Sequence, residues 1–266
     1  MVPRLQDVLD VLEEVAPSRL AEDWDNPGLQ VGDPSQEIRK ILIALDPTLK
    51  ALRQAVSGGS QLLLTHHPLI FRPLSCLDRK IYPGNVIFEA VKEGISVVAA
   101  HTNLDVAPGG INDMLASLFN LEQVEVLEKK EDHKITGAGL GRIGNLQQPM
   151  TLLAVMETAK TLLGTQNVRG LGGKNLKIRR VAVVGGTGGG MAAAASRMGA
   201  DLLLTGDISH HEALEAQNHE LALIDGGHFY TEKAALRPIK DRFEIMMQEL
   251  GWDVLVEIFE DENAPM

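Results

Sequence analysis

Eight histidines share a 266-residue chain with a single cysteine, Cys76. One thiol supplies neither a thiolate zinc cluster nor an iron–sulfur centre nor an internal disulfide, so any bound metal falls to imidazole and carboxylate. His66 and His67 are adjacent, directly after Leu62-Leu63-Leu64-Thr65 and before Pro68. Successive residues of a continuing strand point to opposite faces, so these two share a site only where the strand turns, and Pro68 marks such a turn. His101 and Asp105 are four residues apart, as are His228 and Glu232. That spacing puts His228 and Glu232 on one face if a helix starts at or near His228, whereas His101 and Asp105 flank the loop-like Thr102-Asn103-Leu104, with Pro108-Gly109-Gly110 just after.

Each group alone has an ordinary reading: a buried and a surface histidine, or a surface ion pair. Together, His66, His67, His101, Asp105, His228 and Glu232 all fall at strand ends on one edge of the inferred sheets, where open α/β sheets bind ligands. That combination predicts a metal site. Imidazole and carboxylate suit zinc, iron, manganese, cobalt or nickel and disfavour calcium and copper(I). Two carboxylates allow bridging, hence two divalent ions.

The elements that must position these groups follow from periodicity. Leu5, Val8, Leu9, Leu12 and Val15 predict an amphipathic helix to about Ala16. The turn-rich acidic stretch 21–33 reads as a loop, with Trp24 either lining a pocket mouth or closing a subunit contact. A strand over 38–45, a helix over about 47–56 and a strand over 62–64 have βαβ grammar, and their continuous apolar runs imply parallel strands covered on both faces. An offset of 140 residues lays 38–65 on 178–205 with eight identities in 28 ungapped positions. The reading is an internal duplication; the alternative is two βαβ units sharing generic strand chemistry. Each half then reaches another apolar strand and a histidine followed four residues later by an acid.

The expected architecture is α/β: two similar lobes, 1–125 and 126–266, with mixed, mostly parallel sheets covered by helices and a metal site between the lobes. A charged stretch over 121–134 and a glycine-dense one over 137–144 place the boundary. A last helix over about 231–250 and a strand over 252–259 could pack back on the first lobe.

Gly185-Gly186-Thr187-Gly188-Gly189-Gly190 opens a helix after a strand over 181–184, but it lacks the dinucleotide spacing and the P-loop lysine. It reads as a close-packed turn or an anion cradle. Asp207 aligns with His67 in the repeat and could orient an imidazole or act on a bound water. His210 and His211 stay ambiguous; His133 and His219 read as surface residues. No GxSxG elbow occurs. A net charge of −11 and a pI near 5.2 argue against nucleic acid. No apolar run is long enough for a membrane span and no targeting pattern opens the chain, so a cytoplasmic protein is expected.

Asp25-Asn26-Pro27-Gly28-Leu29 with Gly32-Asp33, then Thr65-His66-His67-Pro68, His101-Thr102-Asn103-Leu104-Asp105, Thr205-Gly206-Asp207 and Gly227-His228-Phe229-Tyr230-Thr231-Glu232 form an ordered set. In that set the chain resembles the GTP cyclohydrolase I type 2 homologue (Nif3-like) family. The resemblance implies a dinuclear centre held by His66, His67, Asp105, His228 and Glu232, with His101 beside it, and a toroidal homohexamer. About 50 residues separate Leu127 from Ile178, too few for the middle domain some members insert, which implies the short form. The expected function is a metal-dependent hydrolase acting on a nucleotide or another phosphorylated or heterocyclic small molecule. Asp207 or His101 would carry protons. The rival is a metal-binding, storage or assembly protein without turnover.

Overall fold

The computed structural model describes residues 1–130 and 135–265; His133 lies outside the described residues. The chain divides into two compact units, Met1–Leu104 with Leu236–Met266, and Asp105–Ala235. No helix among the described residues is long and apolar enough to cross a membrane.

In the first unit, α1 (Leu5–Val15) buries Leu5, Val8, Val11, Leu12 and Val15, the face its periodicity predicts. β1 (Gly28–Val31), β2 (Lys40–Ala44), α2 (Leu49–Ser57), β3 (Leu62–Thr65), α3 (Gly84–Glu93), β4 (Ser96–Ala99) and α4 (Thr102–Val106) follow. The sheet runs β1, β4, β3, β2 and then the last strand of the chain, Leu255–Ile258. All neighbours are parallel except β1 with β4. Every residue of β3 and β4 is buried, which is why these strands read as continuous apolar runs.

The second unit holds α5 (Ile111–Leu118), β5 (Glu122–Lys129), β6 (Gly139–Thr151), α6 (Leu152–Leu163), β7 (Arg169–Leu171), β8 (Lys177–Thr187), α7 (Ala192–Arg197), β9 (Leu202–Gly206), α8 (His210–Asn218) and β10 (Ala222–Asp225). Its sheet order is β5, β6, β8, β9, β10, β7. Here only β8–β9 and β9–β10 are parallel, and the other three pairs are antiparallel, so this sheet is mixed where the first is mostly parallel, within the expected α/β class. α9 (His228–Glu249) starts in this unit and continues into the first, where β11 (Leu255–Ile258) pairs with β2. The division falls at Leu104, ahead of the expected 125, because Leu115, Ala116 and Phe119 are buried in the second core.

From Gly139 on, the glycine-dense stretch is strand β6 rather than connection. A Cβ at Gly139 would strike the Glu128 carbonyl oxygen of the paired strand β5. Arg142, its side chain 2% exposed, ties the stretch down. Its guanidinium donates to Asp113 at 2.6 and 2.7 Å and to the carbonyls of Gly137, Gly139 and Gly141.

The duplication is visible in register. Ile41 pairs with Leu62 and Leu42 with Leu63, while Val181 pairs with Leu202 and Ala182 with Leu203. One side chain closes each repeat the same way. Gln61 Oε1 accepts from the backbone N–H groups of Arg39 and Lys40, and Asp201 Oδ2 accepts from those of Arg179 and Arg180. The register also corrects the expected match of the two His-plus-acid segments. Thr65 faces Ala99 and Thr205 faces Asp225, so Ala99 and Asp225 are equivalent. His101 lies two residues beyond the first and His228 three beyond the second.

Candidate metal centre

In the first unit, three imidazoles meet at the carboxyl edge of the sheet. His66 and His67 follow β3, and His101 follows β4 one residue before α4. The chain turns where Thr65 Oγ1 donates to the His67 carbonyl at 2.7 Å, and the His66 and His67 rings lie 5.1 Å apart. The His101 ring lies 5.3 Å from the first and 5.5 Å from the second. One ring nitrogen from each lies within 4.8 Å of the others.

Each Nδ1 already has an acceptor. His66 Nδ1 lies 2.8 Å from the Ala100 carbonyl oxygen, His67 Nδ1 2.8 Å from Asp46 Oδ1, and His101 Nδ1 2.7 Å from Asp25 Oδ1. An Nδ1–H donating to an acceptor leaves Nε2 as the nitrogen with a lone pair, which is how metal-bound histidines are usually oriented. Asp25 is itself fixed, because Oδ2 accepts from the Thr102 N–H and hydroxyl. Burial raises its pKa, but the bonds from His101, Thr102 and Asn26 outweigh that and bring it down to about 2. Asp46 sits at the end of β2, where Glu262 accepts from the N–H groups of Leu45 and Asp46 at 3.0 and 2.7 Å.

The second unit carries a smaller group. His228 opens α9, and its Nδ1 lies 3.0 Å from Asp207 Oδ2 and 3.1 Å from Thr187 Oγ1. Its Nε2 lies 3.1 Å from Glu232 Oε2, one turn along the helix, with the Glu232 side chain only 4% exposed. Glu232 reaches this position past Gly186, whose φ is +64° and where a Cβ would meet Glu232 Oε1. Glycines 185, 188 and 189 are hemmed in by Ile111, Val184 and Glu212, so the stretch is a close-packed turn. Asp105 lies half-buried in α4, at the residue where the second unit begins.

His66, His67 and His101 are therefore brought together, as are His228, Glu232 and Asp207. His210 and His211 form the exposed first turn of α8, and His219 is exposed at its end. Sequence reasoning missed Asp46, Thr187 and Glu262. The repeat held a signal for the first, since Asp46 is offset by 140 from Gly186: the same edge position holds an imidazole in one unit and admits a carboxylate in the other.

The donor set fits a divalent cation. Three imidazoles this close repel one another when protonated, whereas neutral rings presenting Nε2 offer a bound cation three lone pairs. The second unit holds its own pair, an imidazole and a buried carboxylate one helical turn apart, and the carboxylate is a second donor type suited to the same cations.

The family model Duf34/NIF3 (NGG1p interacting factor 3) matches residues 3–265. A Clostridium perfringens protein named "GTP cyclohydrolase 1 type 2 homolog" is 36% identical over 239 residues, covering 90% of each chain. A Streptomyces coelicolor protein of the same name is 34% identical, covering 99% of this chain and 94% of its own. Among solved structures, Staphylococcus aureus hypothetical protein SA1388 superposes with a TM-score of 0.95 at 30% identity, covering 100% of this chain and 99% of that one. A Bacillus cereus protein related to NIF3 gives 0.93 at 25% identity, with coverage of 100% and 99%.

Proposed function

The chain belongs to the Duf34/NIF3 family, and from that premise and the donor geometry we propose a metal-dependent hydrolase. Its substrate class is a nucleotide or another phosphorylated or heterocyclic small molecule. His66, His67, Asp105, His228 and Glu232 jointly hold two divalent ions, drawn from zinc, iron, manganese, cobalt and nickel, with His101 beside them. The observation that carries this reading is the common orientation of the rings: His66, His67, His101 and His228 all engage Nδ1 with an oxygen acceptor.

Divalent ions bound there would lower the pKa of a coordinated water toward neutrality and polarise the substrate. The chain's own residues do the rest. Asp25 and Asp46 keep His101 and His67 in one tautomer and one orientation. Gly186 leaves room for the Glu232 carboxylate. Proton transfer falls to Asp207 or His101; the Asp207 side chain is 59% exposed and so exchanges protons with solvent while it holds His228. The substrate class rests on the resemblance to relatives named as GTP cyclohydrolase homologues, and the chain works as a homohexamer in the cytoplasm.

The test is metal analysis of protein loaded with zinc, manganese or iron and dialysed, followed by a turnover screen against nucleotides and phosphoesters. Two ions per chain are expected in the parent, with loading and turnover lost in Asp105→Ala and Glu232→Ala. Less than one ion per chain for every metal defeats the reading. Two ions with no turnover favours the storage or assembly role. A native mass far below six chains removes the hexamer.

A further inference from the structure

Two large rings stand beside the imidazole cluster and take no part in holding it. Trp24 and Phe71 have centroids 5.7 Å apart with planes inclined at 66°, and each meets His101 edge-on, at 6.1 and 6.3 Å. Trp24 is 60% exposed and Phe71 42%; Phe88 and Tyr82 are exposed as well, at 47% and 55%, so what sets Trp24 and Phe71 apart is their contact with His101.

The backbone carrying both rings is pinned by polar groups. Asn26 Nδ2 donates to the Ile70 carbonyl at 2.6 Å, and the Ile70 N–H donates to Gln30 Oε1 at 3.0 Å. Gln30 Nε2 returns a bond to the Asn26 carbonyl at 2.8 Å. Asp25, next to Trp24, holds His101 and Thr102. The residues beside Trp24 and Phe71 are thereby cross-linked to each other and to the segment after β4. Aromatic faces held this way offer contact area at little further entropic cost. Walls inclined at 66° take one flat ring with its face on one wall and its edge on the other, an arrangement aromatic pairs favour.

We propose that Trp24 and Phe71 form a ring clamp that selects substrates carrying a flat heteroaromatic ring, with an edge oxygen or nitrogen turned toward His101. The inference rests on the metal-site reading and narrows its substrate class: the ring, rather than a phosphate or sugar, is what the chain recognises here. A saturated sugar phosphate presents no π face to either wall.

The chain has two tryptophans, so Trp252→Phe leaves Trp24 as the sole indole reporter. The probes are guanosine and 2-pyridone, with ribose 5-phosphate as the ring-free control, each added to zinc-loaded and to chelator-treated protein. Saturable quenching by at least one ring probe and none by the control is expected. By calorimetry, Trp24→Leu and Phe71→Leu should weaken that probe about tenfold or more. Phe71→Tyr should retain binding, and zinc content should not change in any variant. Quenching by neither ring probe overturns the clamp, as does equal affinity for ribose 5-phosphate. So does a shift in native mass in the Leu variants with ring affinity intact, which would make the rings a contact between copies. Quenching without bound zinc upholds the clamp while the metal reading fails; bound zinc without quenching does the reverse.

Discussion

An imidazole is a reproducible ligand only when its second nitrogen is held, and here the holders are carboxylates and a backbone carbonyl. Asp25 has the most connections, binding the His101 ring and both the N–H and hydroxyl of Thr102. Asp25→Asn keeps its shape and removes its charge. Zinc affinity, measured by competition with a chromophoric chelator, should fall by roughly ten- to a hundredfold; an unchanged affinity would show that His101 needs no such partner. The same residue has a pH signature in metal-free protein. Its folded pKa of about 2 lies below the ordinary aspartate value of 3.8, so its contribution to stability is complete above that ordinary value and is lost as pH falls toward 2. Urea midpoints followed from pH 5 to 2 should therefore drop less in Asp25→Asn than in the parent. His66, His67, His228 and Glu232 were readable because residue type and spacing suffice to nominate them. Asp46 was not, since its reach to His67 depends on β2 ending beside β3, a fact of register rather than spacing.

At the scale of elements, the two repeats are closed by one device built from different residues. Gln61 accepts two strand-start N–H groups through a neutral amide, and Asp201 accepts the equivalent pair through a charged carboxylate. Hydrogen bonds to charged groups contribute more, so Asp201→Ala should cost about 2 kcal/mol and Gln61→Ala about 1 kcal/mol in urea unfolding. Equal costs, or none, would mean that water replaces both acceptors. Parallel strands were legible here because β3 and β9 are apolar at nearly every position. β5, β6 and β7 were not. Their antiparallel pairing leaves β5 largely exposed, and the glycines of β6 look like a linker until the close approach of β5 at Gly139 is seen. α4 was equally hidden: the Thr102-Asn103-Leu104 segment has loop-like composition, yet it forms a helical turn because Asp25 satisfies the Thr102 N–H.

For the whole molecule, the unequal ligand chemistry of the two units bears on how metal loading depends on each. The first contributes imidazoles, two of them backed by the carboxylates of Asp46 and Asp25, whereas the acidic donors, buried Glu232 and half-buried Asp105, belong to the second. Two divalent ions held by imidazoles alone would concentrate positive charge, so the proposed shared centre predicts that neither group loads fully without the other. A double-mutant cycle with His67→Ala and Glu232→Ala reads this dependence directly. If one centre uses both groups, either substitution lowers the occupancy of both ions, and the double variant loses little more than the weaker single one. Independent sites predict losses that add, with one ion retained in each single variant. Ions per chain by mass spectrometry and competition affinities for all four proteins distinguish the two. Urea unfolding with and without zinc supplies the control, since bound metal stabilises only variants that still hold it.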